Sequence, residues 1–207
     1  MSPLFSTAYF PPIDYMAALL RCKEVVIEVC ETYPKRTYRN RTYIATASGK
    51  LPLIVPITKP YGNHTMTKDV RIANHERWNV VHLRTITAAY SSSPYFVYYK
   101  DELESLLMGE YLYLVDLNKA LVLWVLKCMN VSCSMKYSTQ FAPIEQKNED
   151  FRLCFSPKQS SADKDMPVYY QVFRDRNPFI PNLSILDLLM NLGPDALGYL
   201  KSINVHN

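Results

Sequence analysis

The chain has 207 residues, 48% of them hydrophobic, with 23 basic and 19 acidic side chains. That composition excludes an intrinsically disordered chain and supplies enough apolar surface to core a single domain spanning 1–207. A net charge of +4 is too small to argue for nucleic acid, which asks for a continuous basic stripe.

In chain order, Leu4 to Tyr9 is a short apolar segment closed by Phe10-Pro11-Pro12, since the proline pair removes backbone donors and disfavours helix before it. Ile13 to Arg21 reads as a short helix, and the β-branched run in Glu24 to Cys30 as a strand. A polar, basic loop from Glu31 to Arg41 follows. Thr42–Thr46 and Leu51–Ile57 flank Ser48-Gly49-Lys50, the turn chemistry of a hairpin. Pro52 and Pro56 mark its second arm as an edge or a bulged strand. Lys68–Ile72 predicts a short strand and His75–Tyr90 a helix, with Asn74 as its N-cap. Helices over Asp101–Leu107 and Leu117–Met129 come next, then strands over Ser134–Tyr137 and Val168–Phe173. Between those strands, Gln146 to Asp165 reads as a polar, mobile loop. Leu183–Leu192, the Gly193-Pro194 break and a last helical turn over Asp195–Lys201 close the chain. The order predicts an α+β fold: a mixed or mainly antiparallel sheet with an N-terminal β-hairpin, packed by several α-helices.

The longest apolar stretch, Leu112 to Met129, is interrupted by Asp116, Asn118, Lys119 and Lys127, so no membrane helix of about eighteen apolar residues is expected. No positive region precedes an apolar run at the start, and the five cysteines make an odd set without a regular framework. A cytoplasmic protein with reduced thiols, and with neither metal nor cofactor, is the expectation. Sixteen tyrosines, eight phenylalanines and two tryptophans fit amphipathic packing, and also a surface that meets a sugar or a nucleotide.

Lys35, Arg36, Arg39 and Arg41 place four cations within seven residues, interleaved with Tyr33, Tyr38 and Tyr43. Guanidinium forks suit phosphate or carboxylate oxygens, and a neighbouring ring can stack on a base or a sugar face. A solvated charge run with Asn40 fixing a turn accounts for the same residues. Trp78, His82 and Ile86 share one helix face; His82 there is either a general base near its working pH or a packed imidazole. Cys22 stands between Arg21 and Lys23, but its apolar context argues for a buried thiol. Neither a Gly-x-Ser-x-Gly elbow nor a glycine-rich phosphate cradle occurs. Ser184-Ile185-Leu186-Asp187 reads as a capping box.

An ordered set of segments resembles the WbqC-like protein family of bacteria. It comprises Tyr9-Phe10-Pro11-Pro12-Ile13-Asp14-Tyr15, Tyr33 through Arg41, Leu53-Ile54-Val55-Pro56-Ile57 and Lys68-Asp69-Val70-Arg71-Ile72. Trp78, His82, Ala89-Tyr90 and Ser93-Pro94-Tyr95-Phe96 continue it, and Phe179 through Leu189 ends it. Two departures stand out: Thr7-Ala8 replaces the Gln-Pro pair of many members, and Ser138 to Asp165 is abbreviated. The resemblance implies a role in bacterial surface-polysaccharide (O-antigen) biosynthesis, as a transferase moving an acyl or aminoacyl group to an activated amino sugar. It implies substrate binding by Lys35, Arg36, Tyr38, Arg39, Asn40, Arg41 and Trp78, with His82 as the catalytic base. The partners expected are an anionic activated sugar or acyl donor and other enzymes of polysaccharide assembly. The competing expectation is a non-catalytic module that recognises a glycan precursor, a nucleotide sugar or a partner enzyme.

Overall fold

The structure is a computed structural model that describes residues 2–143, 149–158 and 166–204. Its strands are β1 (Leu4–Ser6), β2 (Glu24–Glu28), β3 (Arg41–Thr46), β4 (Gly49–Ile54), β5 (Ile57–Thr58), β6 (Arg71–Ile72) and β7 (Ser134–Tyr137). Its α-helices are α1 (Ile13–Leu19), α2 (Trp78–Tyr90), α3 (Phe96–Leu107), α4 (Leu114–Cys128), α5 (Ile185–Leu192) and α6 (Ala196–Ser202).

The fold is mixed helix and strand with both kinds of pairing, but its three-stranded sheet is parallel, which departs from the mainly antiparallel alternative. Strands β1, β2 and β7 pair in parallel in the order β1–β2–β7, with Leu4 opposite Val26 and Ile27 opposite Tyr137. Parallel neighbours need crossover connections. Helix α1 lies between β1 and β2 in the chain, and most of the molecule lies between β2 and β7. Among the described residues, antiparallel pairing forms two ribbons, β3–β4 and β5–β6, and three isolated bridges.

The hairpin lies where its turn residues place it. Arg41 pairs with Ile54 and Thr46 with Gly49. Gly49 takes φ +98°, a conformation that favours glycine. Pro52 sits opposite Tyr43 in β4, which among the described residues has β3 as its one sheet neighbour, as proline in a strand requires. The opening motif is held tightly around a strained residue. Phe10 is wholly buried with φ +40°, and its carbonyl accepts the Thr42 hydroxyl at 2.7 Å and the Ser184 hydroxyl at 3.3 Å. Ile13 and Ile185 backbone bonds to Leu183 and Pro11 tie this corner to the entry of α5.

Three local readings change. Asn74 does not cap α2; it donates to the Tyr111 carbonyl and accepts the Trp78 indole N–H instead. Residues 168–173 form no strand, because the Tyr169 and Gln171 side chains turn inward to Asp187. The capping box is half formed: Ser184 Oγ accepts from Leu186 N at 3.3 Å, while the Asp187 carboxylate is engaged elsewhere. Half of the polar loop expected over Gln146–Asp165 lies outside the described residues; in the described half, 149–158, Arg152 and Phe155 are buried. One apolar cluster runs from Phe5 and Tyr9 through Ile44, Ile86, Leu121 and Leu188 to Leu200.

Candidate functional site

The carboxyl ends of parallel strands are where an open sheet leaves a crevice. Here β2 runs out into Cys30, Glu31 and Thr32, and the chain beyond β7 reaches Phe141. These residues, with Pro34, Thr37, Arg39, Arg152 and Phe155, line a cleft of about 710 Å³. Ser138 joins the two strand ends: its N–H donates to the Ile27 carbonyl at 2.9 Å, and its hydroxyl donates to Glu28 at 2.6 Å.

Beneath the cleft lies a buried ionic network. Glu28 is fully buried and receives the Cys30 N–H at 2.7 Å as well as Ser138. The Arg152 guanidinium commits all its nitrogens. Nε and Nη2 reach Asp150 at 2.9 and 2.6 Å, Nη1 reaches Glu28 and the Ala142 carbonyl, and Nη2 also reaches the Pro143 carbonyl. Its plane also lies over the Phe141 ring, 5.8 Å from the centroid. Arg152 therefore shapes the walls and leaves no donor for a ligand.

Arg39 differs. It is 3% exposed, and its Nε and Nη2 both donate to Glu31 Oε1, at 2.8 and 2.5 Å. This one-oxygen grip leaves Glu31 Oε2 and Arg39 Nη1 without a hydrogen bond from any described residue. Burial pushes the Glu31 carboxyl up from its ordinary range; Arg39 opposes that shift, Glu28 adds to it and Arg152 works against it. With all groups ionised, Glu28, Glu31 and Asp150 outnumber Arg39 and Arg152 by one negative charge. The floor of the cleft is an acid–base pair in near charge balance. Positive charge is found at the rim, where Lys35 and Arg36 are exposed between the lining residues Pro34 and Thr37. Arg36 adopts φ +59°, a left-handed conformation that is uncommon outside glycine, at the tip of this turn.

The remaining candidates lie on the inner side of the same segment. Tyr38 is buried with its ring edge-on to Tyr43, and its carbonyl accepts the Tyr9 N–H at 2.9 Å. Asn40 donates to the Val55 carbonyl at 2.9 Å and clamps the end of the hairpin. Arg41 heads β3 and is not among the residues lining the cleft. Tyr9 links this segment to His82, because its hydroxyl meets His82 Nδ1 at 2.8 Å. Trp78 closes the group, its ring edge-on to His82 at 5.2 Å and to Tyr9 at 6.4 Å. His82 is 4% exposed, and burial lowers its imidazole from 6.5 to about 4, partly offset by the Ile54 carbonyl. A neutral ring that accepts the Tyr9 hydroxyl at Nδ1 carries its proton on Nε2, toward Ile54. Tyr9 thus brings His82 and Trp78 to the back of the basic segment, while the Arg39 side chain alone of that segment's cations reaches the floor of the cleft.

Nothing in the sequence singles out Glu31, Glu28 or Arg152 as a functional residue. Glu28 and Arg152 are 124 residues apart in the chain, so no local spacing announces the pair. The available signal was weaker: two carboxylates at the end of an apolar strand. Cys22 donates to the Ala18 carbonyl, and its thiol is pushed up by burial and by Glu149, unlike an activated nucleophile. Among the described residues no group of three or more His, Cys, Asp or Glu side chains could hold a metal ion, and no helix is long and apolar enough to cross a membrane.

The uncharacterized protein Rv1507c of Mycobacterium tuberculosis is 26% identical over 220 residues, covering 93% of this chain and 94% of that one. No solved structure matches the chain. The family model of the WbqC-like proteins matches residues 7–163 and 155–199. These spans contain the cleft, the Tyr9–His82 group and the Asp187 corner alike, and the chain belongs to the WbqC-like protein family.

Proposed function

We propose that the chain is a cytoplasmic transferase of bacterial surface-polysaccharide assembly that moves an acyl or aminoacyl group onto the amine of an activated sugar. The observation that carries this reading is the Glu31–Arg39 pair among the residues lining the cleft, in which Glu31 Oε2 and Arg39 Nη1 make no hydrogen bond to a described residue. In such a transfer the amine nitrogen attacks the activated carbonyl carbon and must lose a proton. Glu31 Oε2 takes that proton, and its raised carboxyl makes it a better base than an ordinary glutamate. Arg39 Nη1–H meets the oxyanion that develops on the carbonyl oxygen. Collapse of the tetrahedral intermediate re-forms the carbonyl, breaks its bond to the donor's leaving group and leaves the new C–N bond. Lys35 and Arg36 attract the anionic part of the donor at the rim, and the Phe141 and Phe155 walls suit the apolar face of a sugar ring.

His82 is not the base in this proposal. An imidazole lowered to about 4 and engaged by Tyr9 is a weak proton acceptor, and its contacts are those of a packing residue that braces the basic segment. Trp78, Tyr38 and Asn40 act with it.

Incubation with nucleotide-diphosphate amino sugars and acyl thioester or aminoacyl donors, followed by mass spectrometry of the sugar, tests the reading. Glu31→Gln is expected to lower product formation by about 100-fold or more, the usual worth of a general base, with a native circular-dichroism spectrum and a lowered melting temperature, since it leaves the buried Arg39 charge uncompensated. Binding of the sugar without turnover for any donor would instead establish a recognition module.

A further inference from the structure

The run Val168-Tyr169-Tyr170-Gln171-Val172-Phe173 has the β-branched and aromatic make-up of a strand, yet it pairs with no strand among the described residues. Its burial alternates as in an extended chain: Tyr169 and Gln171 are 8% and 3% exposed, Val168 and Tyr170 77% and 44%. The inward pair is firmly fastened. Tyr169 and Gln171 both donate to Asp187 Oδ2, and Gln171 also holds the Ile180 N–H and carbonyl.

In an extended chain the backbone groups of alternate residues point to one edge. One edge of this run is already used: the Pro167 carbonyl accepts the Tyr199 hydroxyl at 2.5 Å, and the Gln171 carbonyl accepts the Arg174 N–H at 3.1 Å. On the other edge, the N–H and C=O groups of Val168, Tyr170 and Val172 make no hydrogen bond to a described residue. Neither proline nor a charged side chain interrupts 168–172, the devices that ordinarily guard an open edge. A groove of about 350 Å³ lies between the run and Pro178-Phe179 of the returning chain. Arg174 also lines it, with its guanidinium 4.5 Å over the Tyr170 ring; its acidic neighbour among the described residues is Asp175, at 3.9 Å.

We propose that residues 168–172 accept an extended peptide of a partner protein as an added β-strand, with a carboxylate of that peptide on Arg174. The unpaired backbone groups select an extended chain, Val168 and Phe179 select apolar side chains, and the guanidinium selects the carboxylate. Two copies paired through these five residues alone would bury far less than the roughly 1,200 Å² at which specific interfaces between whole proteins begin, so a single strand is the occupant that fits. The groove shares no lining residue with the cleft of Glu31 and Arg39, and the inference stands apart from the transferase reading.

The probe is the peptide acetyl-Thr-Val-Thr-Val-Thr-Asp-amide. Its controls are N-methylated at both valines, N-methylated at the three threonines, or changed from Asp to Asn. Calorimetry is expected to show saturable binding of the probe to the wild-type protein. Hydrogen exchange at the Val168, Tyr170 and Val172 amides should slow at least about tenfold at saturation, while Tyr169 keeps its rate. One of the two methylated forms should bind at least about tenfold more weakly, since it loses the donors that face the protein. The wild type should prefer the Asp peptide to the Asn peptide by about threefold, the scale of an exposed ion pair. Arg174→Gln, a change at an exposed side chain, should erase that preference and leave the melting temperature unaltered. Absence of saturable binding, parent-like binding of both methylated forms, protection at none of the three amides, or a preference for Asp retained in Arg174→Gln overturns the proposal. Protection of these amides in the protein alone, or a dimer formed through them, overturns it as well and assigns the edge to the chain itself.

Discussion

Asp187→Ala is expected to destabilise the fold by about 3–5 kcal/mol, because it strands several buried donors and opens a void. Asp187 is fully buried in the first turn of α5. Tyr90 donates to its Oδ1 at 2.9 Å, Tyr169 to its Oδ2 at 2.5 Å, and Gln171 Nε2 reaches Oδ2 at 3.2 Å. Gln171 in turn holds the Ile180 N–H and carbonyl, so the carboxylate fastens residues 169–180 to α2 and α5. At this chain length the loss lowers the melting temperature by roughly 10 °C, read by calorimetry. Asp187→Asn keeps the shape and should cost only about 1 kcal/mol.

The second large effect is a pair of opposed pH dependences. His82 is protonated below 6.5 when unfolded but only below about 4 when folded. From pH 6.5 down to 4 the unfolded chain gains a proton the folded one refuses, so stability from His82 falls as pH drops, by about 3 kcal/mol in total. Asp187 works the other way. Burial, opposed by its tyrosine and glutamine hydrogen bonds, lifts its carboxyl from 3.8 to about 6. Between those values the folded chain keeps a proton the unfolded one has lost, so stability from Asp187 falls as pH rises, again by about 3 kcal/mol. The two slopes overlap between pH 4 and 6 and largely cancel. Denaturant titrations should therefore show Asp187→Asn gaining stability steadily from pH 4 to 6, and His82→Gln losing it over the same range. Parallel curves for the two variants and the wild type would place both groups in contact with water.

Local chemistry made much of this fold legible. The Gly49 turn, the β-branched run of β2, the Gly193-Pro194 break and the spacing of α2 and α4 each act within a few residues, and each element appears with shifted ends. Sheet direction was not legible, since β2 and β7 are joined only through the packing of everything between them. The same holds for the site. The basic run at 35–41 is visible, but the tasks of its residues are set by partners elsewhere: Arg39 by Glu31 and Asn40 by Val55. Asp187 shows the limit of a local motif. Its spacing from Ser184 fits a capping box, yet tyrosines from α2 and the 169 region claim its carboxylate first.

Nitrogen-15 and carbon-13 spectra of the protein, titrated with a nucleotide-diphosphate amino sugar, test the location of the site most directly. The account predicts that the largest shifts fall on the Glu31 carboxylate, the Arg39 Nε–H, Thr37 and Phe141, with Glu31→Gln weakening the same titration. Shifts centred instead on the groove between α3 and α4, at Glu102, Leu106 and Trp124, or on Tyr170, Arg174 and Phe179, would contradict it.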